Sequence, residues 1–282
     1  MIEPVLSGEA FLRDVREARK ETDVFHLWWL GQSGYLVQWQ GKHLLLDPYL
    51  SDSLTRKYAG TNKPHTRMTS LAVAPGKLDF IDVVTSSHNH TDHLDAETLN
   101  PLREVNPGLR LIIPEANRAF VAERLGCDPA WPLGLDDGES VTAGGFTFTG
   151  IAAAHESLDR DEQGRCRYLG YVVRFGPWTI YHAGDTVRYE GMVERLQDQR
   201  IDLALLPING RDPARGVPGN LDGPEAAALA KAIGARRVIP GHYEMFEFNT
   251  VPPDAFIAEA ERLNQPWQVL RCGGRWSSTA LS

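Results

Sequence analysis

Apolar residues fall along this chain in short runs divided by glycine, proline and charge, and the period of each run predicts an element. Within 7–21, Ala10, Phe11, Val15 and Ala18 recur near helical spacing among charges, which predicts a short surface helix ahead of the main body, with a packing role. The stretches 25–30, 35–39 and 43–47 are apolar or β-prone and break at Gly31-Gln32-Ser33-Gly34 and Gln40-Gly41-Lys42, the punctuation of an antiparallel meander. Residues 52–77 are polar, contain Pro64 and Pro75 and keep no period; they read as a long loop that shapes a site. Strand and helix patterns then alternate, with strands at 81–86 and 110–114 and helices at 95–105 and 115–125. A second run of strands, 146–153, 168–175 and 178–182, gives way to a strand at 201–207, a helix at 224–233 and a strand at 237–240.

The chain thus repeats its own plan, strands first and then helix plus strand, without strong identity between the halves. Two sheets face to face with helices outside, an α/β fold of four-layer αββα type, accommodate that order in a single domain over 1–282. Its 282 residues, 42% hydrophobic, are enough for a substantial core. The 29 Lys and Arg against 37 Asp and Glu leave a formal charge of -8, which repels polyanions and makes nucleic acid a poor partner. Cys127, Cys166 and Cys272 are odd in number and far apart, which fits a reducing cytoplasm. The charged start carries no signal-peptide pattern, and no run approaches the roughly 20 apolar residues that cross a bilayer, so a soluble protein is expected.

Ser87-His88-Asn89-His90-Thr91-Asp92-His93-Leu94 carries the chemistry. It follows an apolar strand and precedes a helix that Asp95 can cap. In extended chain His88 and His90 share a face and can converge on one cation, while the turn into the helix lets Asp92 and His93 reach a second. A surface loop collects polar residues for no special reason, but four candidate ligands in six positions, imidazole with carboxylate and no cysteine, fit a borderline cation better. His155, Asp185 and His242 follow later strands in the same way. Alone each reads equally as a loop histidine or a turn cap; together they complete a ligand set. Two cations about 3.5 to 4 Å apart need a bridging carboxylate, for which Asp185 is the natural candidate, and such a pair lowers the pKa of bound water and favours hydrolysis.

These residues resemble the His-x-His-x-Asp-His motif and the later single-residue motifs of the metallo-β-lactamase superfamily, in order along the whole chain. The resemblance implies a metallo-β-lactamase-type αββα sandwich. It also implies one metal on His88, His90 and His155, another on Asp92, His93 and His242, and Asp185 on both. A narrower similarity, to the L-ascorbate-6-phosphate lactonase branch, lies in Trp28-Trp29-Leu30-Gly31, in Tyr181-His182-Ala183-Gly184-Asp185-Thr186, in Ile201-Asp202-Leu203-Ala204-Leu205 and in Asn209-Gly210-Arg211-Asp212-Pro213-Ala214-Arg215-Gly216. The expected activity is therefore hydrolysis of a small anionic lactone or phosphorylated metabolite, with two zinc or manganese ions as cofactors. Asp92 would orient the nucleophile or carry a proton, and His182 and Arg211 are candidate contacts for a substrate anion.

Gly31-Gln32-Ser33-Gly34 is no nucleophile elbow, which argues against a serine hydrolase. His26, His43 and His65 read as structural or solvent-facing, and Trp28, Trp29 and Trp39 as strand core. Phosphodiester or RNA cleavage, iron-dependent persulfide oxidation and a non-catalytic metal-binding scaffold are the competing functions, and a homo-oligomer is compatible with the fold.

Overall fold

Thirteen strands form two mixed sheets in the computed structural model, which describes residues 1–212 and 219–281. The first sheet opens with the expected meander, β1 (His26–Gly31), β2 (Gly34–Trp39) and β3 (Lys42–Leu46), and continues in parallel through β4 (Val83–Thr85), β5 (Arg110–Pro114) and β6 (Leu133–Leu135). The second has the same plan: β7 (Ser140–Ala143), β8 (Phe146–Ala152), β9 (Leu169–Phe175) and β10 (Trp178–His182) are antiparallel, and β11 (Leu203–Pro207) and β12 (Arg237–Gly241) follow in parallel. A late strand, β13 (Arg275–Ser277), returns to pair with β1.

Alternation along the strands decides what each face buries. Leu27, Trp29, Tyr35, Val37, Leu44 and Leu46 enter a core shared with Phe148, Tyr171, Val173 and Ile180 of the second sheet. Their neighbours Trp28, Leu30, Leu36 and Leu45 turn outward, against Phe11 and Val15 of α1 (Gly8–Ala18). Leu99 and Leu102 of α3 (Ala96–Val105) and Val121 and Leu125 of α4 (Arg118–Leu125) cover the rest of that face, α2 being the short helix Ser53–Lys57. On the other sheet lie α5 (Met192–Leu196), α6 (Gly223–Ala232) and α7 (Asp254–Arg262); α6 packs on β11, β12 and α7. Helices outside two facing sheets give the four-layer order expected from the repeat.

Some elements differ from expectation for local reasons. The 52–77 stretch is not structureless: it contains α2 and a 3-10 turn at Pro75–Lys77, each too short to leave a period. Residues 115–125 start as a 3-10 turn (Glu115–Asn117) before α4. Asp95 stands at the N-cap of α3, but its carboxylate accepts from Ser53 Oγ and Thr98 Oγ1 instead of a backbone N–H, which fastens α2 to the metal-motif segment. No helix among the described residues is long and apolar enough to cross a membrane.

Candidate metal centre

All seven expected ligands follow strand ends at one edge of the two sheets. His88 to His93 leave β4, His155 follows β8, Asp185 follows β10 and His242 follows β12. Two close approaches make this possible. Gly184 has φ +59, and a Cβ there would come within 2.7 Å of Ser87, so only glycine lets the Asp185 loop lie against the His88 strand. At Gly241 a Cβ would meet the Tyr35 hydroxyl at 2.4 Å, so glycine brings His242 beside the β1–β2 turn.

The side chains meet as two groups. One ligand atom each from His88, His90, His155 and Asp185 lie within 4.8 Å of one another, and so do those from Asp92, His93 and His242. Asp185 touches both groups: Oδ1 is 3.4 Å from Nε2 of His93, and Oδ2 is 3.4 Å from Nε2 of His242 and 3.8 Å from Nε2 of His155. Asp92 Oδ2 lies 3.7 Å from Nε2 of His93 and 3.6 Å from Nε2 of His242. Nitrogens and carboxylate oxygens at these separations are too far apart for good hydrogen bonds and suit donors around a shared cation.

The outer nitrogens fix which lone pairs face inward. His155 Nδ1 is 2.7 Å from the Gly219 carbonyl, which can only accept, so this nitrogen carries the proton and Nε2 presents its lone pair. His93 Nδ1 lies 2.8 Å from Asp47 Oδ2, both side chains fully buried, and His88 Nδ1 lies 3.0 Å from Ser87 Oγ. Nε2 of His88, His93 and His155 and Oδ1 of Asp185 are buried without a hydrogen-bond partner. Buried polar atoms seldom stay unsatisfied, and four of them divided between the two donor groups fit bound cations.

The carboxylates and imidazoles of the cluster shift one another strongly. Burial alone would raise the Asp185 carboxyl, but His242 and His93 hold it well below the usual carboxylate range. Burial would lower His93, yet Asp185 and Asp92 keep it well above an ordinary imidazole. Burial pushes His88 well below, so its nitrogen is a neutral donor. Asp47 stays low despite burial because His93 donates to it.

A cleft of about 370 Å³ opens over His90, Asp92, His155, Asp185 and His242. Lys57, Lys63 and Arg124 stand around it, Tyr58, His65, Phe246 and Phe248 line one wall, and Asn209, Asn220 and Asn249 another. His65 is thus not a remote histidine: it stacks on Tyr58 with centroids 4.2 Å apart and meets Phe248 at 4.4 Å. Neither of the two expected substrate contacts lines this cleft. His182 is buried behind the centre, its Nε2 3.0 Å from the Ser33 carbonyl, and lines no part of this cleft. It ends β10 on the inner side, where the strand's alternation points it away from the opening. Arg211 spends its fork on Glu225, both nitrogens at 2.7 Å, and is also outside the cleft wall; residues 213–216 of the same segment lie outside the described residues. Two residues that sequence reasoning did not single out belong to the centre. Asp47 closes an apolar strand just before Pro48, a lone carboxylate at a strand end that could have been noticed. Gln32, in the β1–β2 turn, places its amide Nε2 2.8 Å from Asp92 Oδ2; glutamine in a Gly-Gln-Ser-Gly turn carries no such signal.

A family model described as a beta-lactamase superfamily domain matches residues 42–243, most of the chain and a span that contains all seven donors. The chain belongs to the metallo-β-lactamase superfamily. Within this superfamily it is a metal-dependent hydrolase, with a His and Asp cluster capable of binding metal. It is 30% identical over 234 residues to a UPF0173 metal-dependent hydrolase of Rubrobacter xylanophilus, covering 81% of this chain and 85% of that protein. It is 28% identical over 245 residues to the mitochondrial N-acyl-phosphatidylethanolamine-hydrolyzing phospholipase D of Saccharomyces cerevisiae, which is 83% of this chain but only 50% of the yeast protein. The solved structure of Igni18, a metallo hydrolase from Ignicoccus hospitalis, has the superfamily fold in common with a TM-score of 0.66 at 21% identity, over 90% of this chain and 98% of that one.

Proposed function

We propose that this superfamily member holds two divalent ions, zinc or manganese, and hydrolyses a small anionic substrate, a phosphoester in the first instance and an acid-bearing lactone in the second. The observation that carries the reading is the pair of donor groups sharing Asp185 at the floor of a cleft ringed by three cations, in a chain whose net charge is -8. His88, His90 and His155 would hold one ion, Asp92, His93 and His242 the other, and Asp185 both. Bound there, the ions supply Lewis acidity and a water of lowered pKa.

The chain's own residues do the rest. Lys57 and Lys63 raise the local potential where a phosphate or carboxylate enters. Arg124 adds charge while bracing the metal segment, since Nη1 donates to the carbonyls of Asn89 at 2.6 Å and Leu94 at 3.2 Å. The Tyr58, His65 and Phe248 wall offers an apolar seat for the uncharged part of the substrate. Asp92 reaches both the donor group and the open cleft, which suits a carboxylate that orients a water or accepts its proton. The phosphodiester substrate named for the yeast relative puts phosphoesters ahead of lactones.

Metal-stripped protein reconstituted with zinc or manganese should bind two equivalents and turn over a member of a phosphoester and lactone panel, with Asp185→Ala losing both properties. Failure to retain any divalent ion, or full turnover by Asp185→Ala, overturns the reading.

A further inference from the structure

Gln32 is completely buried and its backbone is left-handed, with φ +50. Few residues other than glycine, asparagine and aspartate take that conformation without strain. Two hydrogen bonds clamp it there: its carbonyl accepts from Trp29 Nε1 and from the backbone N–H of His242, each at 2.9 Å. His242 is itself left-handed, at φ +64. The turn and the ligand are therefore joined at the backbone, and the Gln32 amide is delivered to the site at a fixed angle. Nε2 reaches Asp92 Oδ2 at 2.8 Å and lies 3.3 Å from Nε2 of His242, while Oε1 is buried without a partner.

Asp92 needs such a hold. It is the most exposed carboxylate of the centre, its side chain 16% accessible against 4% for Asp185, and its contacts to His93 and His242 are all beyond 3.5 Å. Among the described residues Gln32 is its one neutral hydrogen-bond donor. Without that bond the carboxylate can rotate toward the cleft and away from the two imidazoles.

We propose that Gln32 is the positioning residue of the ion site formed by Asp92, His93 and His242. Its amide N–H holds Asp92 Oδ2 so that the three donors are arranged before a divalent ion arrives. A hydrogen bond to a ligating carboxylate oxygen leaves a second lone pair for the ion, so the two roles of Oδ2 are compatible. The inference rests on the two-ion reading but not on any substrate.

The test is the affinity of zinc for metal-free protein, read for each equivalent by chelator competition. Gln32→Asn tolerates the left-handed backbone and is one methylene too short to reach Asp92; Gln32→Leu removes the donor at similar length. In both, one of the two equivalents should weaken by about 10- to 100-fold, the other by less than about twofold. In an Asp92→Ala background Gln32→Asn should add less than about twofold, because the shorter of its two contacts, to Asp92, is gone and only the 3.3 Å approach to His242 is left. Equal weakening of both equivalents, unchanged affinities, or a larger effect in the Asp92→Ala background would overturn the proposal. If Gln32→Leu fails to melt cooperatively, Gln32→Asn decides alone. A single equivalent in the unmodified protein would instead sink the two-ion reading.

Discussion

Asp47 shows how much a single side chain outside the ligand set controls. Its carboxylate accepts from His93 Nδ1 at 2.8 Å, from Thr85 Oγ1 at 2.7 Å and from the Ser87 backbone N–H at 3.1 Å, with no exposure to water. It therefore orients His93 and ties the end of β3 to the end of β4. Removing one member of a buried charged pair leaves the other uncompensated, so Asp47→Ala should cost about 3–5 kcal/mol in the metal-free protein. It should also weaken one zinc equivalent by roughly 10- to 100-fold through His93. Denaturant midpoints and chelator competition on the same preparation check both. Asp47→Asn, which keeps the acceptor oxygen and loses the charge, should fall between the two proteins; a variant as tight and as stable as the parent would remove Asp47 from the account. His93 itself was legible because its motif packs four candidate ligands into six positions. Asp47 was not, because a lone aspartate before proline reads first as a turn residue.

The packing of α1 on the first sheet extends this to whole elements. Phe11 and Val15 fill the outer core, Asp14 accepts from Trp28 Nε1 at 2.8 Å, and Arg19 at the helix end donates to His43 Nε2 of β3 at 3.3 Å. Burial, and then the Arg19 charge, lower the His43 pKa to about 4. An unfolded histidine binds a proton below about pH 6.5. Between that value and 4 the unfolded chain holds more protons than the folded one, so stability falls as pH drops through this window and is fully present above it. The loss amounts to about 3 kcal/mol by pH 4, and His43→Gln should flatten it; parallel pH-dependent acid slopes in the two proteins would refute this. Helix α1 was readable because one buried face imposes a period near 3.6, and β1, β2 and β3 because strands buried on both faces read as short apolar runs bounded by turns. Strands of three or four residues such as β6, β7 and β13, and the one-turn α2 and α5, leave too few residues for a period. In α7 just Phe256 and Ala260 are buried, too sparse a stripe to stand out. The sheets' order was accessible from the repeated plan, whereas the orientation of His182 and Arg211 depended on strand face and on Glu225, neither of which the lactonase-like segments specify.

Across the whole molecule the cleft is where two distant stretches and opposing charges meet. Tyr49 and Leu54 from one stretch and Met245 and Phe246 from the other make a small apolar cluster of their own, which holds the 52–77 segment over the metal centre. None of the seven donors lies in that segment, so removing its tip, residues 59–63, should raise KM by more than it lowers metal content; an equal loss of metal would contradict the division. The same segment carries Lys57 at the mouth of the cleft, exposed and beside the Tyr58 ring at 5.1 Å. The protein as a whole, at -8, repels an anion at long range, so attraction must come from nearby cations acting over less than a Debye length. Lys57→Glu exchanges one of these for a repelling charge. For an anionic phosphoester KM should rise about tenfold at low ionic strength, with kcat and zinc content little changed because Lys57 touches neither the ligands nor their outer partners. At about 1 M salt, where screening acts within about 3 Å, the difference should shrink to about twofold. A neutral ester of similar size should show no dependence on either the substitution or the salt. Equal effects on the charged and neutral substrates would mean that Lys57 shapes the wall and does not recognise charge, and the anionic substrate class would lose its electrostatic support.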